Sequence, residues 1–164
     1  MKLKIIAIIS VFIMMSCKNE KPCCVVLNTT VQFKYEDSLH NDLLNPLNTN
    51  AYDFSQMKHF CLDKQNVKKE VFYGNADSPK SISLFLGTDS IYSLSLFVET
   101  YKVPDGINTF YDYIQLNAAD EDTIQSDIQV ANNGSSVIIK KAWYNNQLVY
   151  NADDTARREI IILK

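Results

Sequence analysis

From Thr30 onward, apolar and polar residues alternate with a period of two. Val31, Phe33 and Tyr35 interleave with Gln32, Lys34 and Glu36, and Ile124, Ser126, Ile128 and Val130 interleave with Gln125, Asp127 and Gln129. This period sends successive side chains to opposite faces and predicts half-buried strands. Runs rich in β-branched and aromatic residues at 56–62, 67–73, 81–86, 91–98, 109–116, 136–143, 147–150 and 159–163 read the same way. The segments between them carry turn chemistry: Asp63-Lys64-Gln65-Asn66, Gly74-Asn75, Gly87-Thr88-Asp89, Pro104-Asp105-Gly106, Asn132-Asn133-Gly134 and Asn145-Asn146. Asn, Asp and Gly tolerate positive φ or bond back to the local backbone, and Asn133-Gly134 and Asn145-Asn146 are strong hairpin signals. No helical period persists over ten residues; 39–44 and 151–158 allow one irregular turn each. The pattern predicts an all-β domain, an antiparallel β-sandwich of about eight to ten short strands.

Residues 1–16 follow another rule. Lys2 and Lys4 open the chain, and Ile5 to Met15 is apolar except for Ser10. A positive start and ~7–15 apolar residues form a secretory signal pattern, about half the ~20 needed to cross a bilayer. The run ends in Met14-Met15-Ser16-Cys17, which resembles the lipobox of bacterial lipoproteins. Ser16 and Cys17 fit it; Met14 and Met15 stand where Leu and a small residue are usual. The resemblance implies cleavage before Cys17, diacylglycerol on its sulfur and a further acyl chain such as palmitate on its amine. Two or more chains anchor stably, at ~0.8 kcal/mol per buried methylene. The expected layout is a signal peptide at 1–16, a lipidated tether at 17–28 and a β-sandwich at 29–164. Lys18-Asn19-Glu20 is read as a solvated tether with a faint likeness to a surface-export signal.

Charge sharpens this picture. Sixteen basic and 19 acidic residues give −3, and cleavage before Cys17 removes Lys2 and Lys4 without any acid, taking the domain to −5. A nucleic-acid partner is not expected, because a phosphate-binding surface needs an excess of Lys and Arg.

Without Cys17, three cysteines remain: Cys23, Cys24 and Cys61. A bridge between adjacent Cys23 and Cys24 is geometrically awkward. One from either to Cys61 would tie the tether to the domain and leave a thiol over. His59 and Cys61 share a strand face, so with Cys23 and Cys24 they could offer zinc or copper(I) a thiolate-rich site, but in no recognised ligand spacing. No metal or other cofactor is expected.

Chemistry for catalysis is sparse. His40 and His59 are the only imidazoles, neither lies in a Gly-x-Ser-x-Gly setting, and Gly74, Gly87, Gly106 and Gly134 are too scattered for a phosphate loop. Asp120-Glu121-Asp122 and Asp153-Asp154 read as acidic loops, the only sources of a hydrolase site or a calcium site. Aromatic residues are plentiful, and Trp143-Tyr144 and Tyr111-Asp112-Tyr113 are candidate rings for stacking on a sugar or a partner protein.

Val31-Gln32-Phe33-Lys34-Tyr35-Glu36-Asp37 with Asp42-Leu43-Leu44-Asn45-Pro46, then Asp120-Glu121-Asp122-Thr123-Ile124 and Lys141-Ala142-Trp143-Tyr144-Asn145-Asn146, resemble segments of a group of uncharacterised Bacteroidota cell-envelope lipoproteins. The likeness spans most of 25–164, and the opening is also similar to prealbumin-like sandwiches used as accessory domains. It implies a non-enzymatic binding or structural module on the outer membrane, on its periplasmic face or at the cell surface. The membrane partner is reached through lipid on Cys17, and an envelope protein or glycan is the soluble partner, met at Trp143 and Tyr144. The alternatives are a small hydrolase using the acidic residues, or a metal or small-molecule carrier.

Overall fold

The computed structural model describes residues 25–154 and 159–164. Eleven strands and no helix make up these residues: β1 (Val26–Asn28), β2 (Thr30–Glu36), β3 (Lys58–Leu62), β4 (Lys68–Glu70), β5 (Ile82–Leu86), β6 (Tyr92–Phe97), β7 (Gly106–Asn117), β8 (Asp120–Ala131), β9 (Ser136–Tyr144), β10 (Gln147–Asn151) and β11 (Glu159–Leu163). Seven form one sheet in the order β1-β9-β8-β7-β3-β4, with β10 also paired to β9, and four form a second in the order β11-β2-β6-β5. This is the predicted all-β sandwich.

Alternation places the core. Along β8, Asp122, Ile124, Ser126, Ile128 and Val130 are buried while Gln125, Asp127 and Gln129 face outward. Val31, Phe33 and Tyr35 of β2, Leu94 and Leu96 of β6 and Ile160 and Ile162 of β11 come from the small sheet. They join Phe110, Ile114, Leu116, Ile124, Ile128, Ile139 and Ala142 of the large one in a single core. Each fully buried aliphatic or aromatic side chain contributes about 1.5–3 kcal/mol. Rings lock the layers together: Phe33 and Tyr144, from opposite sheets, lie 5.8 Å apart between centroids.

The turns have the expected chemistry. Asn145 and Asn146 both take positive φ, 47° and 69°, as a two-residue hairpin whose twist matches its strands requires. Asn132, Asn133 and Gly134 do the same between β8 and β9, at 55°, 55° and 84°.

Three features depart from the sequence expectation. The sheets are not wholly antiparallel, since β1 pairs with β9 and β11 with β2 in parallel. Val26–Asn28, within the stretch assigned to the tether, is a strand on the edge of the large sheet. Its backbone continues that sheet even though all three side chains are exposed. Asp120-Glu121-Asp122 is not a loop but the start of β8, paired with Asn117, Gln115 and Ile114 of β7. The signal segment, Cys17, Cys23 and Cys24 lie outside the described residues.

Candidate functional site

Strand pairing decides which of the candidate residues meet. Tyr111 of β7 stands opposite Gln125 of β8, Gln125 opposite Trp143 of β9, and Trp143 opposite Leu148 of β10. The four form one row across four strands on the outer face of the large sheet. Tyr111 is 37% and Leu148 48% exposed, and Trp143 is partly so. In the next row Tyr113 faces Phe60 of β3 on one side and Thr123 on the other.

The same alternation divides each candidate pair. Asp112 and Tyr144 point the other way, into the core, at 0% and 7% exposure. Tyr144 is therefore corrected from a surface ring to a core ring. It packs on Phe33 and Tyr35, and burial, with the charges of Tyr35 and Asp122, drives its pKa far upward. Trp143 keeps its place on the surface.

Charges on the outer face flank this row on both sides. Lys68 pairs with Glu121, and its ammonium lies 4.3 Å from the Tyr113 ring centroid and 4.9 Å from that of Phe60. Lys58 pairs with Glu70 at 3.6 Å. Asp127 accepts a 2.7 Å hydrogen bond from Thr109 and stands opposite Lys141. The central row of Tyr111, Gln125 and Trp143 carries no charge, and no cation among the described residues lies over its rings.

The acidic residues serve other ends. Lys164 donates to Asp120 at 2.7 Å and to Asp122 at 2.8 Å, with the rings of Tyr35 and Tyr144 each 5.9 Å from its ammonium. Tyr52 donates to Asp120, and Asn145 to Asp122. Burial pulls the Asp120 pKa up, but the hydrogen bonds from Lys164 and Tyr52 outweigh it and hold the carboxyl below its usual value. Asp153 pairs with Lys140 and Asp154 accepts from Asn151. Both clusters are spent on contacts within the domain.

The two histidines have opposite settings. His40 lies exposed beside Glu36, whereas His59 is fully buried, with Nε2 2.8 Å from Asp112 Oδ1 and Nδ1 2.9 Å from the Lys80 carbonyl. A carbonyl only accepts, so Nδ1 donates, and Nε2 and Asp112 must share one further proton. Burial raises the Asp112 pKa. Nearby, Ser81 at φ 51° and Tyr73 both donate to Glu99. Serine, histidine and carboxylates thus lie close together, yet Ser81 bonds to Glu99 and not to His59, so no nucleophile–base pair forms. Cys61 shares the inner face with His59. Burial, then the negative charges of Asp112 and Glu99, pushes its thiol up to about 11, which keeps it protonated and unreactive. Among the described residues, no three His, Cys, Asp or Glu side chains converge on a metal position.

Sequence reasoning gave no sign of an apolar groove of about 740 Å³ beside β1. Leu27, Tyr101, Val103, Pro104, Val130 and Val137 line it. Its walls come from three separate parts of the chain, and no local pattern marks them. Among the described residues no helix is long and apolar enough to cross a membrane. No protein-family model, no curated protein and no solved structure matches the chain.

Proposed function

We propose that this chain is a lipid-anchored, non-enzymatic module of the bacterial cell envelope that binds a partner through the outer face of its larger sheet. The open row of Tyr111, Gln125 and Trp143 carries the reading. Partly exposed aromatic rings on a sheet face supply contact area at little entropic cost. The anchor is supported by Ser16-Cys17 after the charged start and apolar run, and it places the module on the outer membrane in the manner of the Bacteroidota lipoproteins it resembles. The reading is non-enzymatic because Asp120, Asp122, Asp153 and Asp154 are occupied by Lys164, Tyr52, Asn145, Lys140 and Asn151, and His59 by Asp112 and Lys80.

Two variants test the two halves of this proposal. Cys17→Ala moves the protein from the membrane to the soluble fraction; retention on the membrane would refute the anchor. A photo-reactive side chain at position 143 yields a cross-linked envelope component in intact cells, and the same group at Gln56, away from the row, does not. Equal products at both positions would remove the binding face.

A second reading, a carrier of a small apolar molecule, draws on the groove beside β1, whose volume lies within the ~300–1,000 Å³ typical of ligand sites. Native mass spectrometry of protein purified from its own membranes separates the two: a co-purifying apolar molecule lost in Val137→Asp favours the carrier.

A further inference from the structure

We propose that the Tyr111–Gln125–Trp143 row is a stacking platform for an extended, uncharged polysaccharide lying across the strands. The proposal rests on the outer face being the binding surface and names the class of ligand it takes. Three observations carry it.

The first is spacing. Adjacent strands lie ~4.8 Å apart, so the backbones bearing Tyr111 and Trp143 stand roughly 9.6 Å apart with Gln125 between them. That separation is close to the length of a disaccharide unit in an extended β-linked chain, so alternate sugars meet a ring. The C–H face of a pyranose is apolar and flat, and an aromatic ring covers it without needing a pocket.

The second is the hydrogen-bonding inventory. A carboxamide donates and accepts at once, which matches the paired hydroxyls along a sugar edge. The Gln125 and Gln129 side chains take part in no hydrogen bond among the described residues, so both are available at the face. Thr123 lies in the row beside Gln125, adding a hydroxyl.

The third is charge. The ions of this face stand in opposed sets, Lys68 with Glu121, Lys58 with Glu70 and Asp127 opposite Lys141, and the row of Tyr111, Gln125 and Trp143 between them is uncharged. An ionised polymer would find no matching field there. A protein partner is disfavoured for another reason. Interface anchors are typically held in well-packed pockets at the centre of an apolar patch. Here the rings lie on an open sheet with a single glutamine, Gln125, between them.

Trp143 is the chain's single tryptophan, so emission excited selectively at tryptophan, away from the nine tyrosines, reports on the platform. The purified full-length protein in detergent is titrated with hexasaccharides of β-linked glucose, N-acetylglucosamine, xylose and mannose. The expected result is a saturable shift in Trp143 emission with at least one of them, weakened at least tenfold in Tyr111→Ala and Gln125→Ala and retained in Tyr111→Phe. Circular dichroism on each variant separates lost binding from lost fold, and Tyr111→Phe keeps the ring if Tyr111→Ala fails to fold. No response to any of the sugars, or one equal in Tyr111→Ala, overturns the proposal. If no sugar binds while the probe at position 143 still cross-links an envelope component, the glycan class falls and the binding face stands. If the probe also fails, both fall.

Discussion

Tyr111 and Asp112 are neighbours in sequence, as are Trp143 and Tyr144, yet the members of each pair lie in different solvents. Tyr111 and Trp143 face water from one side of the large sheet, and Asp112 and Tyr144 are sealed on the other. The difference teaches how one run of residues supports a dry core on one face and an open surface on the other. On the inner face a side chain is judged by how well its neighbours satisfy it. On the outer face it is judged by what it leaves unsatisfied. The carboxyl at position 112 is held through Oδ1 by His59 and the Glu99 amide.

The largest test of this contrast is Asp112→Ala, which leaves His59 buried without its partner. Removing one member of a buried charged pair costs about 3–5 kcal/mol, so urea denaturation will show a sharply lowered midpoint. A cost no greater than that of Tyr111→Ala would erase the distinction between the faces. An intermediate effect is expected from Lys164→Ala, and it depends on pH. Lys164 and Tyr52 hold the folded Asp120 carboxyl below its ordinary value of 3.8. The resulting stabilisation is present above the unfolded pKa and lost as pH falls through the lower folded one. The gap in melting temperature between the parent and Lys164→Ala will therefore narrow below about pH 3.8. A constant gap down to pH 2 would dissociate Lys164 from that carboxyl. The smallest effect belongs to Trp143→Ala, about 1 kcal/mol or less by the same urea measurement, because the ring is not part of the core. A loss as large as that for Asp112→Ala would make Trp143 a structural residue and remove it from the proposed binding face.

Most of the fold was legible because a sheet with one dry face imprints its period on the sequence. The ten runs from Thr30 onward all became strands, with ends shifted by a few residues. Val26–Asn28 was not legible: three consecutive exposed residues have no alternation, and their pairing with Ser136, Val137 and Ile138 is a long-range event. Asp120-Glu121-Asp122 misled for a related reason. Adjacent acids look like a solvated loop until Lys164, far away in sequence, arrives to neutralise two of them. For the candidate site the rings were visible but their sorting was not. Extending the alternation of β9 through Ala142-Trp143-Tyr144, buried, outward, buried, would have separated Trp143 from Tyr144. That strand had been ended one residue early, at the turn. The row joining Tyr111 to Trp143 depends on the register of three strands, which no local pattern records.

β1 gives the module a mechanical character. The chain ahead of Val26 joins the domain through three residues laid parallel to β9. Tension along that strand loads its pairings in shear, so they resist together instead of unzipping one at a time. Because all three side chains are exposed and only Leu27 among them lines the groove with Val130 and Val137, their release would uncover little of the core, and the seam can part while the sandwich stays intact. If the chain ahead of Val26 is anchored as proposed, β1 would act as a breakaway splice, lengthening the leash under load while the sandwich stays folded.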